Sequence, residues 1–483
     1  MPEYRHGVYV KEAASDLIVL SKQESGLTLV VGTSPIRTAA DGASANEPVL
    51  CSTYNEAVAK LGYSTDTGKY TLCEAMDVLF GVYQVAPVVM VNVYDPENEH
   101  RTEVVRALQL VSMEHCVTIE EDVVTGVKVE TKSGDGDDET WTDISAEVTL
   151  TSQDTETTVL TLPASYAMGA QVYVSYAKAD VTKVLPAAVS GTVDAVTGKC
   201  TGLETISEVY SRFGYTVGTV IAPGWSRYPE VALKMAAKAE LINGHFSALA
   251  IADLPTNLIG GYGSAYAWKT TNGYASPYLA VCYPMVKYGE KAQYMSTHLA
   301  GRMARQTAED DQIPYRSPSN RVAYISGMCN EDGTSNYFGE DAARELNGQG
   351  IITVTNFNGW KFWGNRTSAY PGSNDPKDCW VPIRRMFNYI KATLVLNFWS
   401  QLDEPILKRQ LDSIVNSANT YLNGLTSRGA ILGGRVVCME EDNPTAELAD
   451  GKVSFRCYVT PPSPARELSF TVQYDAQYLT SVF

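Results

Sequence analysis

The sequence is poor in the residues on which most catalysis and most nucleic-acid binding depend. It has five histidines, at positions 6, 100, 115, 245 and 298, and none stands at metal-ligand spacing from another. Its nine cysteines are scattered, odd in number and never in a C-x-x-C pair, which predicts reduced, buried thiols rather than a disulfide framework. Charged residues make up 19% of the chain, below the usual quarter of a soluble domain. Cations are the scarcer sign: the formal net charge is −17 and the pI about 4.8, so there is no global basic balance to neutralise phosphates. Long hydrophobic runs are missing too. The most apolar stretch, Val78 to Tyr94, is broken by Gln84, Pro87 and Asn92, and predicts the end of a helix followed by a strand rather than a membrane span. The opening "MPEYRHGVYV" has no apolar signal core, so the chain is expected to fold in a cytoplasm.

What is abundant is uncharged surface. Tyrosine outnumbers phenylalanine 29 to 11, and tyrosine offers apolar area with a hydroxyl, which suits protein–protein contacts and β-rich surfaces alike. With 483 residues, 45% of them hydrophobic, the chain is long enough for two to four domains.

The texture changes along the chain. Residues 1–25 carry the short strand-like patches "GVYV" and "LIVL" around the polar hinge "KEAASD". From 26 to 96 the pattern is α/β: the buried strand "LTLVVGTSP", the helices "STYNEAVAKLG" and "TLCEAMDVLFGVYQ", and the strand "APVVMVNVYDP". Between 97 and 200 come alternating Thr/Val segments separated by turn signals, with 18 acidic and 7 basic residues, which accounts for −11 of the net charge. This predicts an antiparallel β domain inserted into an α/β body. The α/β pattern resumes from 201 to 355, and its strand–helix–strand spacing implies a parallel sheet. Residues 356–464 predict a C-terminal α+β domain, and 465–483, with "ARELSFTVQYD", a terminal strand arm.

Motifs for chemistry are scarce. There is no G-x-x-x-x-G-K-[ST], no G-x-G-x-x-G after a strand and no G-x-S-x-G. "DGDD" at Asp135 to Asp138 lacks the Gly and Glu of a calcium loop and reads as a hairpin tip. The best enzyme candidate is the loop "IAPGWSRYPE", after the strand ending near Pro223, together with Asp253 in "IADLP"; ordinary turn and capping chemistry accounts for both as well. No cofactor or metal is expected.

One stretch resists an enzymatic reading. "GWKFWGNRTSAY", Gly359 to Tyr370, sets two tryptophans, a phenylalanine and a tyrosine beside two cations. In the wider segment "LNGQGIITVTNFNGWKFWGNRTSAY" it resembles a motif of the contractile tail sheath proteins of bacteriophages and phage-tail-like bacteriocins: Leu-Asn-x-x-Gly-Ile and then, after a strand, Trp-Gly-x-Arg-Thr. "YRHGVYVKE", "VGTVIAPGWS", "ALAIADLP", "HLAGRMARQTAEDDQIPYRSPSN", "WVPIRRMFNYIKATL", "GLTSRGAILGG" and "PARELSFTVQY" are similar to further family segments, in the family's order. The resemblance covers 1–96 and 201–483, and leaves 97–200 as a variable, outward-facing decoration.

The resemblance implies a structural subunit rather than an enzyme. Such subunits polymerise as stacked rings, six subunits to a ring, around an inner tail tube, with baseplate and tail terminator proteins at the ends and no direct contact with nucleic acid or membrane. The sheath is assembled extended and metastable, within the host bacterial cytoplasm, and contracts to drive the tube through a bacterial envelope. By resemblance, Trp360, Trp363, Arg366, Arg384 and Arg385 pack a shared core or interface, and the helical segment Pro405 to Leu425, with Lys408, Arg409 and Arg428, faces the tube. Val8, Tyr9 and Val10 at one end, and Phe470, Val472 and Tyr474 at the other, are expected to form strands that complete a neighbour's sheet. An α/β enzyme and a static tube or capsid protein are the alternatives.

Overall fold

The computed structural model describes residues 26–133, 139–153 and 157–478. The expected arm residues Val8, Tyr9 and Val10 lie outside the described residues.

The fold is a mixed α/β one built on several sheets. At its centre is a six-stranded sheet in the order Leu279–Cys282, Leu249–Asp253, Thr219–Ile221, Thr28–Gly32, Val88–Asn92, Pro48–Cys51. The first five run parallel, and Pro48–Cys51 is antiparallel at the edge, where a leading proline costs no ladder hydrogen bond. Strands buried on both faces read as unbroken apolar runs, which is why "LTLVV" and "APVVMV" show no alternation. Leu29 and Val31 point into one core, shared with helix Pro229–Glu240; Val30 points into the other, shared with helix Met295–Glu309. That second helix is buried almost all round and passes so close to Tyr83 that a Cβ at Gly301 would lie 2.6 Å from the ring.

Between Arg101 and Ala179 the chain makes two antiparallel sheets. One has the order Arg101–Leu110, Gln171–Ala179, Val123–Ser133, Thr140–Asp143; the other has Cys116–Ile119, Thr158–Thr161, Thr149–Gln153. The Thr/Val alternation sends Val117, Val129, Leu160, Val172 and Val174 into a core of their own. The ends of this unit meet: Asp180 N–H donates to His100 O at 2.9 Å, and Thr102 Oγ1 to the Asp180 carboxylate at 2.6 Å. The β texture ends there rather than at 200. Val184 and Val189 are buried in the core of the central sheet, with Val189 on the short helix Pro186–Ser190. The turn-rich "SGTVDAVTGKC" that follows closes on itself through an antiparallel bridge between Val193 and Cys200 and joins neither sheet of this unit.

The C-terminal part holds the hairpin Thr353–Asn356/Trp360–Trp363, the long helices Val381–Phe398 and Lys408–Ser427, and a second hairpin, Gly433–Val437/Arg456–Thr460. Met386, Tyr389 and Ile390 of the first helix, Ala418, Leu422 and Leu425 of the second, and Val436 of the hairpin share one core. The second helix starts at Lys408, not at Pro405: Leu407 is extended, and Ile406 turns toward a groove between the helices. "ARELSFTVQYD" pairs with no strand among the described residues and is exposed.

Candidate assembly surface

The aromatic–arginine segment is a structural knot. Phe362 is fully buried, and Trp360 packs beside it against the core of the central sheet. Arg366 has its guanidinium 3.4 Å from the ring centroid of Trp380 and 4.3 Å from that of Tyr370. Burial holds its pKa below the usual arginine value. Trp363 Nε1 donates to the Asn347 side-chain amide at 3.1 Å, and the same amide donates to the carbonyls of Trp363 and Ile351. Gly364, at φ +118°, leaves room for it: a Cβ there would lie 2.3 Å from that amide. Arg384 is bound by Asp378 and donates to Tyr278 Oη at 3.2 Å, while Arg385 donates to Thr307 Oγ1 at 2.9 Å. These residues tie a hairpin, a turn and a helix start together. Stacked, bonded guanidiniums of this kind hold geometry and are not poised for chemistry.

Asp253 is likewise a structural group. It is 3% exposed, and its carboxylate accepts Ser296 N–H at 2.9 Å and Ser296 Oγ at 2.5 Å, so it caps the start of helix Met295–Glu309. Its own N–H donates to Ser226 Oγ at 3.0 Å, which fixes the loop after Pro223. Burial raises the Asp253 pKa to about 6, and the bonds from Ser296 oppose that shift. The carboxylate of the enzyme candidate is thus consumed in capping a helix whose first amides need acceptors, and the loop serine, Ser226, in holding the Asp253 N–H.

The second hairpin is different, because it offers unsatisfied groups. Val436 N–H donates to Asn419 Oδ1 at 2.8 Å, and Asn419 Nδ2 donates to Val436 O at 3.0 Å, so a helix side chain fills the outer edge of Gly433–Val437. Val436 therefore points both backbone groups away from its partner strand. In an antiparallel pair the residue opposite does the same. The register pairs Val436 with Cys457 and Gly434 with Val459. The N–H and C=O of Cys457 and Val459 thus face the open side of Arg456–Thr460, where no described strand lies.

Beside that edge runs an apolar groove of about 510 Å³, lined by Leu394, Phe398, Ile406, Leu411, Ile414 and Phe455. The exposed tail carries apolar residues at every second position, Leu468, Phe470, Val472 and Tyr474, with Val472 95% exposed. This is the alternation of a half-buried strand without its sheet. The unpaired edge was invisible in the sequence, because it depends on Asn419 standing against Val436, 17 residues away.

The three basic residues assigned to the tube do not converge. Lys408 and Arg409 open helix Lys408–Ser427 and are exposed, whereas Arg428 follows its last turn and pairs with Asp311 at 2.5 Å. Twenty helical residues separate the two ends by about 30 Å.

Comparison with known proteins bears on this part first. Residues 376–475 match the phage tail sheath C-terminal domain, and this span contains both long helices, the open-edged hairpin and the alternating tail. Over 99% of the chain and 98% of the relative, the sequence is 25% identical to the tail sheath protein of Burkholderia phage BcepMu. The similarity to a tail sheath protein thus runs over nearly the whole chain. It is also 29% identical to a putative prophage major tail sheath protein of Pseudomonas aeruginosa, over 64% of the chain and 78% of that protein. Two solved structures share the fold. The helical sheath of the anti-feeding prophage in its contracted state aligns with a TM-score of 0.57 and 15% identity over 97% of this chain and 99% of that one. The sheath complex of the extracellular contractile injection system PVC, also contracted, aligns with a TM-score of 0.57 and 14% identity over 99% of each chain. These relatives are named tail sheath proteins, and with them the enzyme and static-tube alternatives lose ground.

Proposed function

We propose that the chain is the polymerising subunit of a contractile sheath. Each subunit's hairpin receives an extended arm from a neighbouring copy at the open edge of Arg456–Thr460. The observation that carries this reading is the pairing of two incomplete elements in one chain: a strand edge with outward backbone groups, and an amphipathic tail with no sheet. Phe470, Val472 and Tyr474 would enter the apolar groove as the tail backbone joins Cys457 and Val459. Val8, Tyr9 and Val10 are assigned the corresponding role at the other end of the chain.

Strand addition suits a contractile lattice. Each backbone bond contributes about 0.5–1.5 kcal/mol net, so several bonds per arm hold subunits together while their bodies rotate. The rings, six subunits each, stack around an inner tail tube toward which Lys408 and Arg409 turn, with baseplate and terminator proteins at the ends. Arg428, already paired with Asp311, contributes less to that contact. The sheath is assembled in the bacterial cytoplasm in an extended, metastable state, and its contraction drives the tube through an envelope with energy stored at assembly. The β unit from Arg101 to Ala179 forms the outer face.

Removing residues 465–483 tests the arm. Soluble, folded subunits that form no cylinders by electron microscopy are expected. Cylinders of normal length and yield from the truncated chain would refute it.

A further inference from the structure

The central sheet has a crevice that the assembly reading leaves unused. The chain leaves strand Thr28–Gly32 toward Val88–Asn92 on one side, and leaves the adjacent strand Thr219–Ile221 toward Leu249–Asp253 on the other. Where such connections diverge, a crevice opens beyond the carboxyl ends of the strands, and open α/β sheets bind ligands there. In this chain it is a cavity of about 420 Å³, within the usual range of small-ligand sites.

Its walls combine aromatic rings with carboxylates. Trp225, Tyr228 and Tyr294 line it, with the Trp225 and Tyr228 rings 6.3 Å apart. Glu74, 1% exposed, also lines it. Glu74 Oε1 accepts Tyr294 N–H at 2.9 Å and Thr297 Oγ1 at 3.1 Å, while no described residue donates to Oε2. The cations already present are engaged: Arg227 by Glu331, and Lys69 by Asp66 at 2.9 Å. Aromatic faces around a buried carboxylate with a spare oxygen are the surroundings in which ammonium and guanidinium groups bind.

We propose that this crevice binds one organic cation, an alkylammonium or guanidinium group, held by Glu74 and flanked by Trp225 and Tyr228. The group arrives either as a free amine or as a basic side chain of a second copy of the chain; the second source rests on the sheath reading.

Charge logic gives the site a signature. Burial raises the Glu74 pKa to about 8, with Asp253 and Asp77 acting in the same direction and the bonds from Tyr294 N–H and Thr297 opposing it. Asp253, Asp77, Arg227, Glu331 and Lys69 are the charged groups around it. Below that pH the carboxyl is neutral and attracts a cation weakly. Above it the carboxylate pairs, while an alkylamine stays protonated to about pH 10.

The test titrates n-butylamine into the free subunit and follows tryptophan fluorescence. A saturable change is expected, lost in Trp225→Phe, absent with n-butanol, and at least tenfold tighter at pH 9 than at pH 6. Glu74→Gln keeps the acceptor for Tyr294 N–H, so the variant folds, and it should abolish the pH dependence. In polymerised sheaths the response disappears if a neighbour's side chain fills the site and persists if a free amine does. No saturable response at pH 9, or an identical titration in Glu74→Gln, would overturn the proposal. The titration needs no assembly, so it stands or falls apart from the sheath reading.

Discussion

Replacing Val459 with proline should leave the subunit intact and disable the sheath. The N–H of Val459 points to the open side of Arg456–Thr460, so its loss breaks no bond within the chain, and an edge strand tolerates proline there. The cost to the free subunit is backbone adjustment and part of the packing of Val459 against the core of the two long helices, about 1 kcal/mol. The neighbouring Tyr458 pairs with Arg435 and turns its N–H inward. Tyr458→Pro therefore removes a ladder bond and places the ring against the partner strand, at about 3 kcal/mol. In the sheath the order reverses for Val459→Pro: a lost bond plus a ring in the path of the incoming arm costs about 3 kcal/mol per contact, more than a hundredfold in association. Thermal melting of free subunits measures the first effect, and sedimentation with electron microscopy measures the second. The reasoning fails if Val459→Pro polymerises at the wild-type critical concentration, or if it melts as low as Tyr458→Pro.

Replacing residues 101–179 by a short Gly/Ser linker should leave the body folded, because His100 and Asp180 already touch; insoluble protein without a cooperative melt would count against it. Reversing Lys408 and Arg409 to glutamate should weaken sheath–tube co-assembly at low salt and leave subunit melting within about 1 kcal/mol, as exposed charges do; unchanged co-assembly at low salt removes those residues from the tube contact. Lys269, 3% exposed, donates to Gln349 O at 2.7 Å and Tyr370 O at 2.9 Å, and burial lowers its pKa to about 8. The unfolded lysine titrates near 10.4, so the unfolded chain binds more protons between those values and stability rises with pH across them. Relative to Lys269→Met, the wild type should gain about 2 kcal/mol from pH 8 to pH 10 in denaturant melts, and a constant difference would show that the ammonium is solvated.

The sequence by itself determined the elements and most of their kinds. Unbroken apolar runs such as "APVVMV" demand strands buried on both faces, and Thr/Val alternation between 101 and 179 demands sheets with one wet face, because side chains repeat every two residues along a strand. The alternation of Leu468, Phe470, Val472 and Tyr474 predicts a strand, and among the described residues the segment pairs with none. Tertiary structure decided what depends on contacts far along the chain. It placed Val184 and Val189 in the body core despite their hairpin-like surroundings, and it turned Asp253 from a catalytic candidate into a helix cap by bringing Ser296 to it across 43 residues. It started the last long helix at Lys408 and held its two basic ends apart. Above all it fixed which edge of Gly433–Val437/Arg456–Thr460 is open, since the Asn419 amide occupies the other. Periodicity reports which face of a strand is buried; only the assembled neighbours decide which edge still lacks hydrogen bonds.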